Sequence, residues 1–142
     1  MEIKIKKLYE DSQIPTRGSE YAAGYDLYAH TGGAIPPHGT IKIGTGVAIQ
    51  PPKDTFGAVF ARSGLATKQG LRPANCVGVC DYDYTGEYIV ALHNDTDETK
   101  VVEPGERIGQ VVFIPYVNVS FIEVEELEET ERGAGGFGST GA

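Results

Sequence analysis

Apolar residues recur at every second position through much of this chain: Ile3 and Ile5, Ile41 and Ile43, Val47 and Ile49, Ile89 with Ala91 and His93, and Val117, Val119 and Phe121. Successive strand side chains point to opposite faces, so this spacing is a strand pattern; a helix would show spacings of three and four instead. Turn-forming residues punctuate the runs at Gly32-Gly33, Pro36-Pro37, Gly44 with Gly46, Pro51-Pro52, Thr85-Gly86 and Pro104-Gly105. Short strands broken this often predict an all-β sandwich or barrel. The pattern predicts one brief helix, Ser63 to Gln69, with Ser63 able to cap its start and Gly70 able to end it.

A chain of 142 residues fits one domain whose core needs no disulfide or metal. Its formal charge of −8 argues against a nucleic-acid partner, which demands a basic face to displace counterions from phosphates. A small anion remains compatible with that charge if a divalent cation shields it. No stretch approaches the ~20 apolar residues of a membrane span. The opening Met1-Glu-Ile-Lys-Ile-Lys-Lys also lacks a continuous apolar run, so no membrane association and a cytoplasmic location are expected. Cys76 and Cys80 are the only cysteines. On one strand they would lie about 13 Å apart, too far for a disulfide. Without a companion pair of ligands they make no zinc site, and both are expected as small buried apolar residues. His30, His38 and His93 show no ligand spacing and are expected as surface or edge residues.

The residues from Glu131 to Gly141 hold five glycines and a single large side chain, Phe137, near Arg132, Ser139 and Thr140. Glycine loses the most backbone entropy on ordering, so such a segment orders only around something bound. Main-chain N–H groups and hydroxyls suit phosphate oxygens, and a lone ring suits a flat base. Gly133-Ala-Gly135-Gly-Phe-Gly138 spells the dinucleotide-fold pattern, but no strand and helix follow it to give it that meaning. Glu123 to Glu131, rich in glutamate, reads as a solvated connector between this arm and the domain.

Four further clusters interrupt the strand patterns. Ala22-Ala-Gly-Tyr-Asp-Leu-Tyr-Ala29 reads as a strand entry with Gly24 as a bulge. In Ala61-Arg-Ser-Gly-Leu-Ala66, Arg62, Ser63 and the first helical N–H groups form either an anion site or simply a capped helix. Asn75 to Gly86 reads as a β-hairpin whose turn carries Asp81, Asp83 and Tyr84; the aspartates are ordinary turn formers, or else share a strand face where one serves as a general base. Pro104-Gly-Glu-Arg-Ile-Gly-Gln110 ends a turn and offers Gln110 as a ligand donor.

In this order the five clusters resemble the five motifs of the trimeric dUTPases, most specifically at Asp81 with Tyr84 and at the Arg132 arm. The resemblance implies a jelly-roll-like, β-clip distorted barrel with one short helix over residues 1–124, and an acidic connector with a flexible glycine-rich arm over 125–142. It implies hydrolysis of dUTP to dUMP and pyrophosphate by water attack on the α-phosphate, and a homotrimer with shared active sites. Asp81 would activate that water, and Asp26 would assist phosphate and metal placement through water. Asn75, the backbone of Gly78, Val79 and Cys80, and Ile89 would read the uracil edge, and Tyr84 would crowd out a 2′-hydroxyl. Arg62, Ser63, Gly64 and Gln110 would hold phosphates; Arg132, Phe137, Gly138 and Ser139 would close over base and γ-phosphate. Mg2+ would ride on substrate phosphates and waters, with no dedicated carboxylate cage.

Three positions depart from the family's usual pattern: Ala61 for proline, Cys80 for isoleucine and Thr85 for a longer polar or basic residue. None removes a functional atom. Two other readings remain: a dUTPase-like nucleotide-binding module that signals through a protein partner, against which the intact Asp81 argues, and a nucleotide deaminase on the same fold, which Tyr84 and the Phe137 arm do not suit.

Overall fold

In the computed structural model, which describes residues 1–141, the alternating runs become ten strands. In chain order these are β1 (Lys4–Lys7), β2 (Tyr25–Tyr28), β3 (Gly33–Ile35), β4 (Thr40–Gln50), β5 (Thr55–Phe60), β6 (Leu71–Pro73), β7 (Gly78–Cys80), β8 (Glu87–Asn94), β9 (Lys100–Val102) and β10 (Arg107–Pro115). One helix, α1 (Ser63–Gln69), lies between β5 and β6. Two four-stranded antiparallel sheets have the orders β1-β4-β8-β6 and β2-β10-β5-β7, and β3 pairs with β9 as a ribbon. Most spatial neighbours are therefore distant in sequence, as in a jelly roll.

The core fills the space between the sheets with Leu27, Ile43, Val47, Leu71, Tyr88, Val90, Leu92, Ile108 and Val111, none more than 1% exposed. Each such side chain contributes roughly 1.5–3 kcal/mol on leaving water. Strand β8 shows how alternation chooses a face, because Tyr88, Val90, Leu92 and Asn94 point inward. Ile89, Ala91 and His93, whose spacing marked the strand, lie on its other side. Buried Asn94 belongs inside because its carboxamide is saturated: Nδ2 donates to the carbonyls of Ile35 (3.0 Å) and Glu98 (2.7 Å), and Oδ1 accepts from the N–H and hydroxyl of Thr96.

Other expectations change for identifiable reasons. Gly44 and Gly46 make no turn between strands: β4 runs straight through them, with its register against β8 shifting between Gly44 and Ala48. They form a bulge, and Gly46 takes φ +71, where a Cβ would fall 2.3 Å from the Ser12 hydroxyl oxygen. Ser63 is the first helical residue rather than the cap, a place taken by extended Arg62, whose side chain makes no capping hydrogen bond, while Gly70 ends the helix at φ +67 as its sequence position suggests. Cys76 is exposed in a turn at φ +62, so it is neither on a strand with Cys80 nor buried; both thiols are free and Cys80 is half-buried. His38 is exposed and paired with Asp97, whereas His30 is only 17% exposed and stacks on Tyr9 while contacting Asp11.

Val117, Val119 and Phe121 form no strand. The last strand ends at Pro115, and beyond it Val117 is 83% and Phe121 97% exposed. Alternation meets only half of what a strand requires. The other half is a neighbouring backbone to bond, and among the described residues nothing supplies one.

Candidate functional site

The segment read as a hairpin does not close as one. Its first arm, β7, pairs with β5 in one sheet, and its second, β8, pairs with β4 and β6 in the other. The chain from Asp81 to Gly86 therefore crosses between sheets, and a cleft of about 280 Å³ opens where the arms diverge. Asp81 and Asp83 are exposed and lie beyond the end of β7, so they share no strand face.

This first cleft gathers Asn75, Gly78, Val79, Cys80, Asp81, Tyr84 and Ile89, with Glu87, Val59 and Val90 among its other walls. Gly78 packs closely against Val59, whose Cβ would lie 3.2 Å from a Cβ on the glycine. Tyr84 folds back along the crossing, its N–H donating to the Asp81 carbonyl (3.1 Å) and its hydroxyl to the Glu87 carbonyl (2.6 Å). Gly86 permits that fold, since a Cβ there would sit 2.8 Å from the Tyr84 hydroxyl oxygen. Burial pushes the Cys80 thiol up, so it lines the cleft as a neutral group. The departure from isoleucine thus leaves a small apolar surface. Edge strand β7, paired only with β5, has main-chain groups free of strand pairing beside apolar walls, which suits a flat heterocycle, and Asp81 is among the lining residues.

A second cleft, of about 200 Å³, gathers Asp26, Arg62, Ser63 and Gln110 with Gly18, Ala22 and Gly24. Pairing of β2 with β10 places Gln110 directly opposite Asp26, and Arg62 arrives at the start of α1. Arg62 Nε donates to Asp26 Oδ1 at 2.9 Å, and Arg107 Nη1 lies 3.5 Å from Asp26 Oδ2. Asp26 is 15% exposed and Arg62 27%, so these charges hold one another in partial shelter from water. Gln110 Nε2 donates to the Ala61 carbonyl (2.9 Å), and its carbonyl end occupies the space over Gly24, where a Cβ would fall 2.1 Å from Oε1. Gly24 thus admits Gln110 and is no bulge; the register shift lies across the pair, between Arg107 and Gly109. Guanidinium, hydroxyl and carboxamide groups together suit phosphate oxygens.

Arg107 is the residue that sequence reasoning passed over. It sits inside the Pro104–Gln110 cluster, but only strand pairing reveals its partner 81 positions away. Gly64 is exposed and lines neither cleft. The two clefts share no residue. Residues of the arm join neither: Arg132 Nε donates to the Gly135 carbonyl (2.7 Å), turns within the arm bond to one another, and Phe137 is fully exposed. Among the described residues no group of three or more His, Cys, Asp or Glu side chains is arranged to hold a metal.

A family model for dUTPase matches residues 10–141. The deoxyuridine 5'-triphosphate nucleotidohydrolase of Desulfitobacterium hafniense is 47% identical over 146 residues, covering 99% of this chain and 97% of that relative. That of Candida albicans is 46% identical over 141 residues, covering 98% of this chain and 87% of the relative. The solved structure of Staphylococcus bacteriophage 80alpha dUTPase with dUPNHPP matches with a TM-score of 0.92 at 28% identity, over 99% of each chain. With a family model spanning nearly the whole sequence, relatives sharing almost half its residues end to end, and a solved member with the same fold, this chain belongs to the dUTPase family.

Proposed function

We propose that the protein is a dUTP diphosphatase that hydrolyses dUTP to dUMP and pyrophosphate. One observation carries this reading: a carboxylate, Asp81, stands at the rim of a base-shaped slot on a chain that also bears a separate arginine-lined phosphate cleft. The likeness to a phage dUTPase holding a dUTP analogue supports it. In this reading Asn75 and the backbone of Gly78, Val79 and Cys80 read the uracil edge across from Ile89, leaving no space for a 5-methyl group. The Tyr84 ring packs against C2′ of the sugar. Asp81 accepts a proton from the attacking water as its oxygen bonds to the α-phosphorus and the bond to the pyrophosphate oxygen breaks. Arg62, Ser63 and Gln110 hold the phosphates, with Asp26 keeping the Arg62 guanidinium in place.

Magnesium fits this donor set as a cation carried by substrate: Asp26 is engaged by Arg62 and Arg107, so the ion would rest on phosphate oxygens and water, with Asp26 reaching it through water, and would offset triphosphate charge. A homotrimer with shared sites completes the reading. Its support is the separation of the two clefts, the detached arm, and Val117, Val119, Phe121 and Ile122, which stand exposed and call for cover from another copy. A chain of this charge is proposed to work in the cytoplasm on free nucleotides, away from nucleic acid and membranes; no helix is long and apolar enough to cross a membrane among the described residues.

Pyrophosphate release measured with magnesium and a panel of deoxy- and ribonucleoside triphosphates tests the activity. dUTP should be the preferred substrate, and comparable turnover of dCTP, dTTP or UTP would overturn the assignment. Co-refolding Asp81→Asn with a variant lacking everything from Arg132 onward tests the sharing. With random one-to-one mixing in a closed ring, roughly a quarter of sites combine an intact crossing with an intact arm, and activity should return near that fraction. Mixed trimers with no recovery would assign both parts to one chain's own site.

A further inference from the structure

The base-shaped cleft depends on the start of β8 standing where it does, yet that is where the β4–β8 ladder is interrupted. Gly44 lies opposite Ile89 and Ala48 opposite Glu87, so three residues of β4, Thr45 to Val47, bulge out where only Tyr88 lies on β8. Two side chains bridge the break. The Thr45 hydroxyl donates to the Tyr88 carbonyl at 2.6 Å, and the Gly46 N–H donates to Glu87 Oε1 at 2.8 Å. The latter contact needs both bulge glycines. Gly46 presents its N–H from φ +71, and a Cβ on Gly44 would lie 2.4 Å from Glu87 Oε1. No lysine or arginine pairs with Glu87 among the described ion pairs, so its carboxylate serves this backbone contact. The same residue lines the cleft, and its main-chain carbonyl accepts the Tyr84 hydroxyl at 2.6 Å.

We infer that Glu87 is a positioning residue for sugar selection: its carboxylate clamps the β4 bulge and thereby sets where the Tyr84 ring stands in the nucleoside cleft. The inference rests on the proposed placement of Tyr84 against C2′ of the substrate. Glu87 touches no reacting atom. It acts by holding a carbonyl to which Tyr84 is tied, beside the break where Tyr88 has no partner on β4.

The test compares Glu87→Ala, Glu87→Gln, Tyr84→Phe and Tyr84→Ala in the full-length protein, with kcat and KM measured separately for dUTP and UTP in magnesium, beside thermal midpoints. Glu87→Ala should narrow the dUTP-to-UTP ratio of kcat/KM by about five-fold, the scale of one lost hydrogen bond. The change should lie in KM, with kcat for dUTP within about two-fold of the parent. Glu87→Gln keeps an oxygen for the Gly46 N–H and should restore the parental ratio. Tyr84→Phe, which cuts the link at its other end, should match Glu87→Ala, and it decides the matter if the alanine variant does not fold. Equal losses on both nucleotides, with a lower thermal midpoint and an unchanged ratio, would make Glu87 a merely structural residue and overturn the inference. If Tyr84→Ala narrows the ratio while Glu87→Ala and Tyr84→Phe do not, the reading of Tyr84 stands and this inference falls. A parent with no preference for dUTP would overturn both.

Discussion

The cleft between β7 and β8 has apolar walls, with Val59, Cys80 and Val90 among them, whereas the cleft beside α1 is lined by Asp26, Arg62, Ser63 and Gln110, with Arg107 beside Asp26. One is shaped by packing, the other by charge. Packing discriminates by volume and by unpaired polar atoms, so changes in the first cleft should alter which nucleotide is accepted. Charge discriminates little between nucleotides that carry the same triphosphate, so changes in the second should weaken them alike. Salt should also screen the second more than the first.

Asp81→Asn gives the largest test of this division. It keeps the shape of the first cleft and removes its proposed base, so turnover should fall by about 10²-fold or more while nucleotide binding persists. Near-normal turnover would detach chemistry from that cleft. Arg62→Ala should lower kcat/KM by about 30-fold for dUTP and UTP together, as expected for losing a charge-assisted contact. A selective loss for one sugar would show that the charged cleft also reads the nucleoside. Removing the arm from Arg132 onward should reduce kcat by about 20-fold if it closes the site, with the apo thermal midpoint nearly unchanged because the arm bonds only within itself. A large drop in that midpoint would make the arm a structural element instead. Of these four changes Tyr84→Ala should have the smallest effect, narrowing the dUTP-to-UTP ratio of kcat/KM by about ten-fold; an unchanged ratio would place sugar selection elsewhere.

Strand character and the chain order of the chemical clusters were legible in the sequence because both are local. Gly70 ends α1 because a left-handed position favours glycine, and that requirement shows in any sequence window. Pairing was not legible. Asn75 to Gly86 looks like a hairpin by every local sign, yet its arms join different sheets because each finds a better partner far away in the chain. The same blindness hid Arg107, whose meaning depends on Asp26 across the β2–β10 pair, and it turned the bulge at Gly44 and Gly46 into an apparent turn. Nor does the alternation of Ile89, Ala91 and His93 say which face of β8 is buried: Tyr88, Val90 and Leu92 are buried, while Ile89 and Ala91 line the cleft. Cys76 was missed differently: a non-glycine residue at φ +62 carries no residue-type signal of its turn.

Val59 and Val90 belong at once to the hydrophobic core and to the wall of the first cleft. In the proposed reading, folding free energy and substrate choice draw on the same atoms, and natural drift cannot tune one without touching the other. Trimming Val90 would deepen the slot toward bulkier bases while opening a void beneath it, and that coupled penalty keeps the interior of the protein acting as a gauge of its ligand.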